Sequence, residues 1–526
     1  MATPGMESVE LLTDAGAVLQ PGFSGLTPPD WLRRRLGSGE LGGVALFGRN
    51  IRTPQQVAEL TGQMYALNPE VLIATDEEGG DVTRLEVVSG SSYPGNLALG
   101  EVDDLDLTER VARSIGLDLS SVGINLNYAP DADVNSNPDN PVIGVRSFGS
   151  DGDMVARHTA AYVRGLQSAG VAACAKHFPG HGDTAGDSHL GLPRIDFGPE
   201  QFTEHLKPFR AAVAAGVKAV MTAHILFSAY DPKLPATMSQ AILTGLLREE
   251  LGFDGLIVTD GIEMGAISGT HGVAEGSVKA IAAGADTICV GGGLDDEASF
   301  LYLRDALVWA VREGRLPAER LHEAAARNRA VARWSAAVRR SQAGTLAEPG
   351  IGLTAARRAL RVHGELRPVT GAPYVVEFSP GANIAVGDET PWGVAGPLAE
   401  LVPGTTVHRV TAPATKLEGS GLLHVEVADE GGDVDTAPVL GAATGRPLVV
   451  VVRDLHRHQW MRRAALALVA ARPDAVVVEI GTEYGVVETF QARGVTVLAT
   501  HGGARVCGVA AAEALAGVAL STAQVG

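Results

Sequence analysis

Short apolar runs alternate with longer stretches of helical period over the first two thirds of the chain. The runs are "GGVALFG" around residues 43–48, "VLIAT" (71–75), "GINLNYAP" (123–130), "GVAACAKHF" (170–178), "GVKAVMTAHI" (216–225), "GLIVTDG" (255–261) and "ADTICVG" (285–291). Each is brief, often follows a glycine and is apolar on both faces, the pattern of a parallel strand covered by helices. Between them lie helical stretches such as "DMVARHTAAYVRGLQSAG" and "PEQFTEHLKPFRAAVAAG", the second ending in a glycine placed as a helix C-cap. Seven or eight such βα units predict a (β/α)8 TIM-type barrel, with a doubly wound open sheet as the alternative. The polar ends of the runs, "TDEEGG", "AKHFPGHGD", "TAHI" and "TDGIEMG", would then share one face, where barrel sites are built.

The alternation lapses after "RNRAVARWSAAVRRSQAGTL". Residues 1–340 are therefore read as a barrel domain, 341–370 as a linker and 371–526 as a second, α/β sandwich domain. Its strand candidates are "YVVEF" (374–378), "LLHVEV" (422–427), "PLVVVVR" (447–453), "DAVVVEIG" (474–481) and "VTVLAT" (495–500), with helical "QWMRRAALALVAARP" between the third and fourth.

Composition narrows the partners. A chain of 526 residues has ample length for two cores, and 45% hydrophobic with 20% charged residues is the balance of a globular protein. Sixty-five glycines suit a fold with many tight strand-to-helix turns. Forty-two Lys and Arg against sixty-one Asp and Glu leave a formal charge of −19, which repels a phosphate backbone and an anionic bilayer alike. Neither nucleic acid nor membrane is expected as a partner. Cys174, Cys289 and Cys507 are few, odd in number and far apart, so they indicate neither a disulfide framework nor a thiolate metal cluster. No basic segment precedes an apolar stretch at the N-terminus, and a soluble, cytoplasmic protein is expected.

Two places carry candidate chemistry. Asp260 directly follows an apolar strand and precedes Gly261, so its carboxylate can meet a ligand without steric cover; it could equally be a turn aspartate. "KHFPGHGDTAGDSH" (176–189) concentrates three histidines and two aspartates in fourteen positions. Spacing admits a structural loop, a metal site drawn from His177, His181, Asp183, Asp187 and His189, or a mobile catalytic loop in which Asp187 and His189 form a dyad. In such a dyad the carboxylate fixes the imidazole tautomer and favours its protonated form.

The loop closely resembles the signature of glycoside hydrolase family 3, in its β-N-acetylglucosaminidase (NagZ-like) branch and two-domain form. "LFGRNI", "DEEGGDVTRL", "NYAPDADVN", "NPVIGVRSFG", the His/Asp loop, "VMTAHI", "LPATMS" and "GFDGLIVTDGIEMGAI" follow in the order that family shows. The resemblance implies a retaining exo-β-N-acetylglucosaminidase with Asp260 as nucleophile, His189 as acid/base and Asp187 orienting it. It implies that Asp76, Arg84, Arg146, Lys176 and His177 hold the terminal sugar, that GlcNAc-containing small glycans are the substrates, and that neither metal nor cofactor takes part. Retaining glycosidases need one carboxylate to form a glycosyl-enzyme and a second group to protonate the leaving oxygen.

Glu77 and Asp81 depart from the family's usual "DQEGGRV", and are expected to add acidity beside the pocket. His224 is read as a pocket wall or a satisfied core histidine, and His181 and Asp183 as loop-shaping, with Gly180, Gly182 and Gly186 supplying positive-φ turns. Two rivals to hydrolysis stand. A histidine acid/base, unlike a carboxylate, would not repel phosphate, so inorganic phosphate could serve as acceptor and yield GlcNAc 1-phosphate. The rival of another class is an inactive sugar-binding protein.

Overall fold

The computed structural model describes residues 4–189, 191–380, 386, 390–411 and 434–518. They form two compact units. The first takes the chain up to Glu78, then Asp104–Ile143 and Ser147–Pro349; the second takes Gly79–Asp103, Gly144–Arg146 and the chain from Gly350 onward.

The first unit is built on eight short parallel strands: β1 (Leu19–Pro21), β2 (Gly43–Ala45), β3 (Leu72–Thr75), β4 (Leu126–Asn127), β5 (Ala172–Phe178), β6 (Ala219–Thr222), β7 (Leu256–Thr259) and β8 (Ile288–Val290). β2 to β7 pair in chain order as one curled sheet. A bridge from Val258 to Thr287 leads from β7 to β8, and β8 pairs with β1 through Leu19–Ile288, Gln20–Cys289 and Pro21–Val290. β1 returns to β2 closely enough that a Cβ on Gly43 would stand 3.0 Å from the Gln20 amide. The barrel class read from the apolar runs is therefore the one formed. Alternate strand residues, among them Leu72 and Ala74, Leu126 and Tyr128, Ala172 and Cys174, Ala219 and Met221, Leu256 and Val258, fill the interior in the period-two pattern of a barrel core. Cys174, Cys289 and Cys507 are buried and unbridged.

All seven runs became strands; the eighth, β1, was not legible because two of its three residues are Gln20 and Pro21. Both are buried, but neither reads as strand. The helix Pro199–Ala214 ends as expected, with Gly216 at φ +76 beyond it. Its place in the turn is conformational, since no other residue takes that φ cheaply.

The second unit holds a six-stranded sheet of β9 (Arg361–His363), β10 (Tyr374–Ser379), β11 (Thr406–Thr411), β12 (Leu448–Val452), β13 (Val476–Glu479) and β14 (Thr496–Ala499). Its spatial order is β9-β14-β13-β12-β10-β11, with only the β9–β14 pair antiparallel. Val450, Val452 and Val477 face one layer with Trp460 and Leu468, while Val449, Val451 and Val478 face the other with Leu398 and Leu515. That alternation makes the α/β sandwich. Four of the five expected strands are present; "LLHVEV" lies outside the described residues. The stretch 341–370 carries a helix, Ile351–Ala359, and the strand β9. Among the described residues no helix is long and apolar enough to cross a membrane.

Candidate active site

Because the barrel strands run parallel, the residues that follow them emerge on one face. Asp76 follows β3, Asp131 and Asp133 follow β4, Lys176 and His177 end β5, His224 follows β6 and Asp260 follows β7. Asp260 is fixed by its backbone N–H donating to Thr222 O at 3.3 Å and by its Oδ1 accepting from Gly261 N at 2.8 Å. Burial alone would raise this carboxyl, but His177, His224, His189 and the Gly261 N–H prevail and hold it well below the usual carboxylate range. Asp260 is thus ionised at any working pH.

His224 is buried, with Nε2 donating to Gly261 O at 2.9 Å and Nδ1 2.7 Å from the Thr237 hydroxyl. Burial lowers its pKa. Both ring nitrogens are satisfied, so it is a core histidine whose task is to hold the turn behind Asp260.

Lys176 is buried between two carboxylates, 2.6 Å from Asp76 Oδ1 and 2.7 Å from Glu78 Oε1. One ammonium thereby bridges two acids and orients Asp76, the less buried of the pair. His177 rests on Asp133, with Nδ1 2.7 Å from Oδ2 and its backbone N–H 3.2 Å from Oδ1. Asp131, Asp133 and His177 stand close enough for metal ligation. The two Asp133 oxygens, however, already receive the His177 N–H groups and the His181 backbone N–H, the latter at 2.6 Å, which makes the trio a hydrogen-bonded knot.

The Asp187–His189 pair is formed. Asp187 Oδ1 accepts from His189 Nδ1 at 2.7 Å and from the His189 backbone N–H at 2.8 Å. Burial pushes the Asp187 carboxyl up, yet its bonds to His189 prevail and hold it low. With Nδ1 committed as donor, proton exchange with a substrate falls to Nε2. The loop is tied to the segment after Asp260: Gly265 N donates to His189 O at 3.2 Å, and Ala266 N to Ser188 O at 3.3 Å.

One of the three loop glycines takes the positive φ expected of all of them. Only Gly180 has positive φ, +141. A Cβ on Gly182 would stand 1.8 Å from Val134 O, so close backbone approach requires that glycine, and around Gly186 there is open space.

Of the residues singled out from sequence, Asp76, Lys176, His177, Asp187, His189 and Asp260 all lie in the first unit. Arg84 and Arg146 lie in segments of the second, where the buried Arg146 offers its carbonyl to Asn96 Nδ2 at 2.7 Å. Asp81, expected to add acidity beside the pocket, is met within the second unit by Arg453 at 2.5 Å and by Gly503 N at 2.7 Å. Sequence reasoning missed Asp133, the partner of both His177 and His181, and did not connect Glu78 with Lys176. Neither link has a local signal, since His177 and His181 are 44 and 48 residues from Asp133 and Lys176 is far along the chain from Glu78.

The barrel thus carries a buried carboxylate, Asp260, at one strand end, a cation-bridged acid, Asp76, at another, and a hydrogen-bonded Asp187–His189 pair on the loop after β5, at the face where barrel sites are built. The sequence profile of the glycosyl hydrolase family 3 N-terminal domain matches residues 17–331. The chain belongs to that family. It is 38% identical over 283 residues to Beta-hexosaminidase A of Pseudoalteromonas piscicida, a match covering 49% of this chain and 47% of that protein. It is 38% identical to a Beta-hexosaminidase of Neisseria meningitidis over 49% of this chain and 73% of that one. The chain thus spans about half the length of the first relative. Among solved structures, a family 3 β-N-acetylglucosaminidase from a Paenibacillus species superposes with TM-score 0.83 at 35% identity, covering 96% of each chain. NagZ from Neisseria gonorrhoeae, in complex with N-trifluoroacetyl-D-glucosamine, superposes with TM-score 0.54 at 30% identity over 65% of this chain and 97% of that one.

Proposed function

We propose that the protein is a retaining, exo-acting β-N-acetylglucosaminidase that removes a terminal GlcNAc from small glycans, with its chemistry in residues 1–340. The observation that carries this reading is the Asp187–His189 pair tied by Gly265 and Ala266 to the segment that follows Asp260. Asp260, ionised by its histidine surroundings, attacks the anomeric carbon. His189 Nε2–H gives its proton to the departing glycosidic oxygen, and the imidazolium so neutralised passes its charge balance to Asp187, which stays ionised. In the second step neutral Nε2 takes a proton from water, whose oxygen displaces Asp260. A low carboxyl pKa makes Asp260 a good leaving group in that step. Asp76, oriented by Lys176, is suited to accept from a sugar hydroxyl.

A second reading rests on the acid/base being a histidine. Neutral His189 presents no negative charge to an incoming anion, so phosphate could take the place of water and release GlcNAc 1-phosphate. Product analysis with p-nitrophenyl β-GlcNAc, run with and without phosphate, separates the two. Free GlcNAc in both cases supports hydrolysis, and a phosphate-dependent switch to the sugar phosphate supports the phosphorylase. An inactive sugar-binding protein would give neither, and would not trap a 2-fluoro sugar on Asp260 detectable by mass spectrometry.

A further inference from the structure

Ser188 stands between Asp187 and His189 in the chain and is held from two sides. Its carbonyl accepts from Ala266 N at 3.3 Å, and its hydroxyl lies 3.0 Å from His181 Nε2. His181 is itself fixed at three points. Its backbone N–H donates to Asp133 Oδ1 at 2.6 Å, its carbonyl accepts from Asn140 Nδ2 at 2.8 Å, and its Nδ1 lies 2.7 Å from Thr184 Oγ1. One proton inventory satisfies every one of these contacts with the ring neutral. Thr184 gives its one hydroxyl proton to His181 O at 3.1 Å, so Thr184 Oγ1 accepts from His181 Nδ1–H. With burial bringing the His181 pKa down to about 4, the ring is neutral, and Nε2 is left as acceptor for the Ser188 hydroxyl. Ser188 is only 1% exposed, as is His181, so water does not compete for either group.

We propose that His181 is a positioning residue: through Ser188 it sets the Asp187–His189 pair over Asp260, working from the same Asp133 carboxylate that seats His177. This rests on the acid/base reading of His189 given above. The arrangement has a physical logic. Asp133 Oδ1 and Oδ2 receive His177 on the side of the nucleophile and His181 on the side of the loop, so one buried carboxylate fixes both halves of the site in a common frame. An error of about 1 Å in a proton donor is enough to lose much of general-acid catalysis. The hydroxyl-to-imidazole bond adds a side-chain anchor at Ser188 to the backbone bonds from Gly265 and Ala266.

The test is the leaving-group dependence of three variants, Ser188→Ala, His181→Gln and the pair together. A donor that is present but misplaced hurts substrates whose leaving group needs protonation and spares those that do not. For Ser188→Ala, a natural disaccharide should lose about tenfold or more in kcat, while an activated dinitrophenyl glycoside changes by less than about threefold and KM stays close to wild type. The double variant should lose no more than the worse single one, because both remove one link. Ser188→Ala deletes only a hydroxyl, so it keeps the question answerable if His181→Gln fails to fold. Equal loss on both glycosides, no loss on the disaccharide, or losses that multiply in the double variant would each overturn the proposal. Asp260→Ala and His189→Ala are run beside them. If these keep wild-type turnover, the acid/base reading itself is wrong; if they lose it while Ser188→Ala shows no leaving-group selectivity, only the positioning role is.

Discussion

Asp187 Oδ1 accepts both the ring Nδ1–H and the backbone N–H of His189, at 2.7 and 2.8 Å. A single oxygen therefore fixes the tautomer and the rotamer of the imidazole. Asp187→Asn keeps the shape and removes the charge, and its amide can turn an N–H toward Nδ1, which would invert the tautomer. The expected outcome is a loss of about 10²-fold or more in kcat on substrates with poor leaving groups, a smaller loss on activated aryl glycosides, and a pH–rate profile whose basic limb moves to lower pH. An unchanged basic limb would show that Asp187 does not tune the group that titrates.

Lys176 joins Asp76 and Glu78 at 2.6 and 2.7 Å and is only 2% exposed. Lys176→Met leaves two carboxylates facing each other without the ammonium between them. The variant should lose about 3–5 kcal/mol of stability, read as a lowered urea midpoint, and at a temperature where it remains folded its KM should rise more steeply than its kcat falls. A variant with normal KM would show that Asp76 is not oriented through this bridge.

Legibility in the sequence followed physical locality. Buried parallel strands read as apolar runs, so seven of the eight barrel strands were visible. The two sheet strands missed in the second unit, β9 and β11, are polar; β11 is exposed at five of its six positions and lies at the sheet edge, where no apolar alternation is demanded. The Asp187–His189 pair was legible as one of three readings, since two residues of spacing suffice to form it, and the family resemblance selected it. Asp133 was not, because its work is done across 44 and 48 residues of chain, and nothing in "DADVN" distinguishes a hub carboxylate from a turn aspartate. The loop glycines were read as three positive-φ turns, which holds at Gly180, whereas at Gly182 the need is spatial and visible only in the structure.

The neutral state of His181 makes stability depend on pH. Burial, with His177 acting in the same direction against Asp133 and Asp260, lowers its folded pKa to about 4, whereas an unfolded histidine titrates near about 6.5. Between those values the unfolded chain binds a proton that the folded chain refuses. Stability therefore rises with pH across the window: it is fully present above about pH 6.5 and is lost as pH falls toward about 4, by an amount on the order of 3 kcal/mol from this residue. His205 and His224, also lowered by burial, add to the same trend, so the comparison with a variant isolates the His181 share. Urea midpoints at pH 7.5 and pH 4.5 should fall further in the wild type than in His181→Gln. Parallel lines for the two proteins would assign the acid sensitivity elsewhere.

Within the second unit, Asp81 and Arg453 make a buried pair at 2.5 Å, 2% and 12% exposed at their side chains. Arg453 also lies over the Trp392 ring, 5.0 Å from its centroid, and Asp81 Oδ1 takes the Gly503 N–H at 2.7 Å. The pair thus ties the 79–103 segment to the ends of β12 and β14. Removing one partner strands the other charge in a site with little water, so Arg453→Met should lower the unit's stability by about 3–5 kcal/mol. Adding Asp81→Asn removes the stranded charge while leaving an amide oxygen for Gly503. The double variant should therefore be more stable than Arg453→Met alone, a non-additive result that calorimetry would read as partial recovery of the melting transition. Strict additivity would mean that the two side chains stabilise the unit independently, through packing on Trp392 and the Gly503 bond, and not as an ion pair.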